Sequence, residues 1–90
     1  MDSDIVICGG GLAGLAAGHA LVRAGRGVVV IEGQPQVGGL ARTLEHRGQR
    51  FDLGGHRLLT DSARVCELVR EVVREPLLRV PRSSKILLRG

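Results

Sequence analysis

Residues 5–32 leave this chain little choice of fold. Ile5-Val6-Ile7-Cys8 is a short apolar run, and Gly9-Gly10-Gly11-Leu12-Ala13-Gly14 is a glycine turn. An Ala- and Leu-rich stretch follows as far as Gly25, and Val28-Val29-Val30-Ile31-Glu32 is a second apolar run ending on an acid. Strand, turn, helix, strand and acid in that order are the signature of a βαβ dinucleotide-binding unit in an α/β fold. Gly9 lets the backbone turn sharply out of the first strand, and Gly11 leaves room for a pyrophosphate against the backbone. Gly14 lets the helix pack close to the sheet, and Gly18, one turn on, is expected to do the same. Leu12 and Ala13, candidate cofactor contacts, lead into the helix, whose first N–H groups and partial positive charge attract phosphate. Glu32 lies 18 residues after Gly14, where its carboxylate can accept hydrogen bonds from ribose hydroxyls. The strands are expected over 4–8 and 28–32, the first a near-continuous apolar run of the kind buried on both faces. The helix is expected over 13–24, capped by Gly25.

Ninety residues make at most one small domain. Two parallel strands and one helix do not cover both faces of a sheet. The apolar run Ile86-Leu87-Leu88-Arg89-Gly90 reads as a strand without a partner, so residues 1–90 are expected to be the N-terminal part of a longer domain. The net charge is +4 and the pI about 10.5. The arginines and Lys85 are scattered, however, and Phe51 is the only aromatic, so no platform exists for stacking bases. Nucleic acid is therefore not an expected partner. Cys8 and Cys66 have neither disulfide-framework nor metal-ligand spacing, so no metal is expected, and a reducing, cytoplasmic setting fits. Residues 5–22 carry no formal charge, but five glycines argue against a membrane span, and Asp2 and Asp4 argue against a signal peptide. Membrane contact through sequence beyond Gly90 stays open.

The stretch 33–42 reads as a loop, since Pro35 and Gly38-Gly39 rule out a regular helix or a central strand. A glycine pair this close to Glu32 suggests backbone that approaches a ligand. Residues 43–46 and 50–53 around Arg47-Gly48-Gln49 predict a β-hairpin. Asp52 is expected to fix that hairpin by local hydrogen bonds. A second helix is expected over 62–74, capped by Thr60 or Asp61 and stopped by Pro76. Val65, Leu68, Val69 and Val72 form its apolar face. Short strands are expected at 77–80 and 84–88. His19, inside the first helix and behind the phosphate turn, reads as a packing or surface residue.

The βαβ unit alone does not separate NAD from FAD, although the charge of Glu32 disfavours a 2′-phosphate. The more specific stretches are Gly38-Gly39-Leu40-Ala41-Arg42-Thr43 and Phe51-Asp52-Leu53-Gly54-Gly55-His56-Arg57. With these, nearly the whole chain resembles the FAD-dependent amine oxidase superfamily, in the branch of protoporphyrinogen oxidases and phytoene desaturases. UDP-galactopyranose mutase is a more distant relative with a similar start. The resemblance implies a glutathione-reductase-like FAD domain interleaved with a substrate domain. It places Gly9, Gly11 and Gly14 in the phosphate turn and Glu32 on the adenosine ribose. It runs Gly38 and Gly39 along the cofactor, puts Arg42 near its phosphates, and brings Gly54, Gly55 and His56 towards the flavin. Amine oxidases proper often carry Arg directly after the glycine pair; here that position is Leu40, which favours the oxidase and desaturase branch.

The expected function is the FAD-binding portion of a flavin-dependent oxidoreductase that oxidises a C–N or C–C bond of a small organic substrate. Three other readings stand beside it: a non-redox flavoenzyme of the UDP-galactopyranose mutase type, an NAD-dependent dehydrogenase, and a non-catalytic truncated fragment. A dehydrogenase would continue in alternating βα units after Glu32, where this sequence turns to a glycine-rich loop and hairpin. No catalytic base is expected within residues 1–90.

Overall fold

The computed structural model describes residues 4–54 and 57–89. The chain divides into two compact units, Met1–Arg57 and Leu58–Gly90. In the first, strand β1 (Ile5–Cys8), helix α1 (Leu12–Arg23) and strand β2 (Val28–Ile31) form the βαβ unit. A 3-10 turn at Gly39–Ala41 and a hairpin of β3 (Thr43–His46) and β4 (Gln49–Asp52) follow. The second unit contains helix α2 (Ala63–Val72).

β1 and β2 pair in parallel, from Ile5 opposite Val28 to Cys8 opposite Ile31. The helical crossover between them is the connection a parallel pair requires. Side chains alternate across the sheet: Ile5, Ile7, Val28 and Val30 are half-buried, while Val6, Cys8, Val29 and Ile31 are exposed. Ile7, Val28 and Val30 are the residues that meet α1, around Gly18. The expectation of burial on both faces is corrected here for β1, since Val6 is 57% exposed on the face away from α1, as is Ile31 of β2 at 56%. A single helix can cover only one face.

α1 ends in a glycine cap of the Schellman type. Gly25 adopts φ +81. Its N–H donates to Val22 C=O at 3.0 Å, and Arg26 N–H reaches back to Leu21 C=O at 3.0 Å. At the same end of the sheet, the Asp4 carboxylate accepts from Gly27 N–H and Arg26 Nε, each at 3.3 Å.

The hairpin is tighter than the sequence suggests. Its turn is Arg47-Gly48 alone, with φ +51 and +76, so Gln49 joins β4 opposite His46. Two successive left-handed residues match the twist of paired strands, which favours a two-residue turn. At the open end, Thr43 Oγ1 donates to Asp52 Oδ1 at 2.6 Å. Asp52 thus holds the hairpin, as its position implied.

α2 begins one residue later than expected and is capped by neither Thr60 nor Asp61. Ser62 is the cap: its hydroxyl accepts from Val65 N–H at 3.3 Å. Thr60 Oγ1 instead accepts from Ser62 N–H at 3.1 Å, shaping the approach. The helix stops at Val72, with Val73 extended, before Pro76 can restrict Glu75. Residues 77–80 and 84–88 are not strands. A strand needs a hydrogen-bonding neighbour, and among the described residues none pairs with them; Leu87 is 95% exposed.

The glycines of α1 differ in what they permit. A Cβ at Gly14 would overlap the Gly9 carbonyl oxygen and stand 3.3 Å from Ile7 Cγ2. A Cβ at Gly18 would rest at 3.6–3.8 Å from Ile7 Cδ1, Val30 Cγ2 and Val28 Cγ1, which is ordinary contact. The expectation that Gly18 permits close packing as Gly14 does is therefore corrected. Gly14→Ala should destabilise the unit by about 1–3 kcal/mol through overpacking. Gly18→Ala should stabilise it by about 0.5–1 kcal/mol through lower unfolded-state entropy. Urea denaturation of the two variants checks this: midpoints that move in the same direction contradict it.

Candidate functional site

The site is the junction of two glycine-rich segments at the carboxyl ends of β1 and β2. β1 leaves its ladder through Gly9, whose N–H still donates to Ile31 C=O at 2.7 Å and whose φ is +107. The left-handed conformation turns the chain away from the sheet at once, as a residue with a Cβ rarely does. Gly11 is the N-terminal cap residue of α1 and supplies no side-chain cap, and no acidic residue occupies the first turn. Leu15 N–H is satisfied by Gly11 C=O at 2.9 Å. The earlier N–H groups of α1, beginning at Leu12, lie before the intrahelical ladder and form the positive end of the helix dipole. A Cβ built at Gly11 meets nothing within 4 Å, so the space in front of this turn is open.

Glu32, immediately after β2, closes over the turn. Its Oε2 accepts from Gly10 N–H at 2.7 Å and its Oε1 from Gln34 N–H at 3.0 Å. The Gln34 and Gly10 amides hold its carboxyl below the usual carboxylate range. Partial desolvation opposes them, and the Gly33 amide and the Arg42 charge add to the lowering.

The loop after Glu32 returns to the same turn. Gly38 N–H donates to Gly10 C=O at 2.7 Å, and Gly38 bridges Gly11 in parallel register. Gly38 has φ +117 and Gly39 φ +59. A Cβ on Gly39 would lie 3.2 Å from Gly11 Cα, and one on Gly38 3.0 Å from Arg42 Cβ. Both glycines are thus demanded by backbone conformation, and Gly39 also by its approach to the first turn and Gly38 by its approach to Arg42. Arg42 ends the 3-10 turn in extended conformation and is half-buried. Gln36 Nε2 ties the loop to the hairpin through Thr43 C=O at 2.9 Å.

The structure therefore brings together Gly9, Gly11, Gly14, Glu32, Gly38 and Gly39, with Leu12 and Ala13 opening α1 and Arg42 close by. Gly54 lies just after β4, exposed, and no described hydrogen bond ties it to the turn. Gly55 and His56 lie outside the described residues. No spacing in the sequence singles out Gly10. It falls at an unconstrained position of the glycine fingerprint, and only the run of three glycines hinted at it. His19 is half-buried within α1, away from the turn.

The open face of the turn presents N–H donors, and the carboxylate beside it has lone pairs left over from its two short amide contacts. Diphosphate and vicinal hydroxyls are the groups such a surface can hold. Among the described residues, no helix is long and apolar enough to cross a membrane.

A family model described as an NAD(P)-binding Rossmann-like domain matches residues 7–72. Putrescine oxidase of Kocuria rosea is 33% identical over 88 residues, which is 98% of this chain and 18% of that protein. Flavin-containing amine oxidase B of Mus musculus is 35% identical over 71 residues, covering 78% of this chain and 14% of the relative. Pseudooxynicotine dehydrogenase of a Pseudomonas species is 40% identical over 55 residues, 61% of this chain and 11% of the relative. The chain thus spans between 11% and 18% of the length of these relatives.

The lowered pKa of Glu32 has a definite sign. The folded chain holds the carboxylate more readily than the unfolded chain, whose ordinary value is 4.5. The stabilisation is therefore complete above that value and is lost as pH falls through the lower folded value. The stability difference between the wild type and Glu32→Gln should stay constant from about pH 7 to about pH 5 and shrink below that. Urea midpoints measured across this range decide it, and a difference that stays level into strong acid goes against it.

Proposed function

The chain belongs to the NAD(P)-binding Rossmann-like domain family, and on that premise we propose that it is the FAD-binding, N-terminal segment of a flavin-dependent oxidoreductase of the amine oxidase kind. The observation that carries this reading is the open space at Gly11, set between the free first turn of α1 and the carboxylate of Glu32. That cradle fits the ADP half of the cofactor. The names of the relatives, a flavin-containing amine oxidase and a putrescine oxidase among them, support flavin as the other half.

In this reading the N–H groups of Gly11, Leu12, Ala13 and Gly14 hold the pyrophosphate by charge-assisted hydrogen bonds. Glu32 accepts from ribose hydroxyls with the lone pairs its backbone contacts leave. Its negative charge disfavours a 2′-phosphate, so FAD is preferred over NADP. Arg42 adds positive charge on the phosphate side, and Gly38 and Gly39 keep the loop close enough to line the cofactor. The chemistry that bound flavin would supply is an acceptor for the electrons of the oxidised bond. The residues of this chain bind and orient; none of them is assigned a proton transfer. The substrate is a small organic molecule oxidised at a C–N or C–C bond, and the setting is cytoplasmic.

Titration of the 90-residue chain with FAD, followed by flavin fluorescence, tests the reading. Saturable quenching is expected. Gly11→Ala should weaken binding by about tenfold or more, the scale of one lost charge-assisted contact, while leaving the urea midpoint nearly unchanged because its Cβ points into open space. Tighter binding of NADP than of FAD, or indifference of FAD to the Gly11 change, would contradict the proposal.

A further inference from the structure

The three consecutive glycines are glycine for three different reasons. Gly9 needs φ +107, and Gly11 keeps the ligand face open. Gly10 does neither. It is one of two residues, with Gly18, that are buried among those described. A Cβ there would stand 2.9 Å from Glu32 Oε2 and 3.1 Å from Val37 Cγ1. Both of its backbone polar groups are taken. Its N–H donates to Glu32 at 2.7 Å, and its C=O accepts from Gly38 N–H at 2.7 Å. These contacts lie at the short end of the N–H···O range. Their partners come from separate places, the end of β2 and the Gly38-Gly39 pair.

We propose that Gly10 is the point at which the phosphate turn is clamped, with Glu32 and Gly38 acting as positioning residues that set the turn before any dinucleotide arrives. The proposal deepens the dinucleotide-cradle reading above and rests on it. Three glycines in a row have the least conformational restriction of any tripeptide. Left free, they would have to be ordered on binding, at a cost in affinity. With the Gly10 peptides pinned on both sides, Gly11 and the start of α1 are held in the bound arrangement. Glu32 then works through the turn as well as facing the ribose. The Gly38-Gly39 pair is a prop behind the phosphate turn: its close approach is to Gly11 Cα, which a Cβ on Gly39 would meet at 3.2 Å.

Amide hydrogen exchange on the ligand-free 90-residue chain, read residue by residue by NMR, tests this. In the wild type, the Gly10 and Gly38 amides should exchange about tenfold or more slowly than that of Leu12, a first-turn donor. Glu32→Ala removes the acceptor, and Glu32→Asp keeps the charge but withdraws it by one methylene. Both should bring Gly10 up to the rate of Leu12 and speed Gly38. The Ile5 amide, bonded to Gly27 C=O at 3.1 Å at the far end of β1, should be unmoved. If Glu32→Ala also frees Ile5 through loss of the fold, Glu32→Asp alone decides. A wild-type Gly10 amide as fast as that of Leu12, or a Gly38 amide indifferent to Glu32→Asp, overturns the clamp. FAD titration of the same samples separates the two ideas. A protected Gly10 without FAD binding sinks the cradle reading and leaves the clamp intact; FAD binding with an unprotected Gly10 sinks the clamp and leaves the cradle.

Discussion

Gly10 is held from both sides, by the Glu32 carboxylate on its N–H and by Gly38 N–H on its C=O, each at 2.7 Å. Three segments that are separate in sequence are joined by those two contacts: the turn after β1, the acid after β2, and the loop that returns at residue 38. Everything about the site depends on this junction. It fixes where α1 begins and so where the positive end of its dipole lies. It also explains why the loop after Glu32 can be irregular and still be placed, since Gly38 and Gly11 are in register. The electrostatics follow from the same geometry: the amides of Gln34 and Gly10 favour the charged form of Glu32, and that charge in turn anchors the Gly10 N–H.

The βαβ unit was legible in the sequence to within a residue or so at each boundary, because its signals are mechanically separate. Strand apolarity, turn glycines, the Gly25 cap and the terminal acid each report a different constraint, and they agree. The hairpin was legible as an element but not in register. Gln49 reads as a turn residue in composition, whereas the two-residue turn at Arg47-Gly48 places it in β4. The α2 cap is ambiguous in sequence for a related reason: Thr60, Asp61 and Ser62 are all good cap residues, and only the path of the backbone selects Ser62. Residues 77–80 and 84–88 have strand-like composition, but strand formation is decided by a neighbour, which a local pattern does not contain.

The site was legible in the residues that shape its turn and not in its support. Gly9, Gly11, Gly14 and Glu32 belong to a spacing with a known physical purpose. Gly38-Gly39 drew notice as backbone near a ligand, and the structure gives it a second purpose, since φ +117 and +59 and the approach to Gly11 demand glycine without any ligand. Gly10 escaped notice because its constraint is the Glu32 side chain and Val37, both distant in sequence. The exposed apolar face of Val6, Val29 and Ile31 follows from the element count in the sequence: apolar on both sides, the sheet has one helix and is covered on one.

The central claim is that the turn from Gly11 to Gly14 is a ready-made diphosphate cradle. Its most direct test is an amide chemical-shift map of the chain on titration with ADP, the part of the cofactor that this segment would hold. The account predicts saturable shifts concentrated at Gly11, Leu12, Ala13 and Gly14, with Gly33 and Gly39 next and the hairpin from Thr43 to Asp52 quiet. Shifts centred on the hairpin or on α2, or no saturable shift at the first turn of α1, would contradict it.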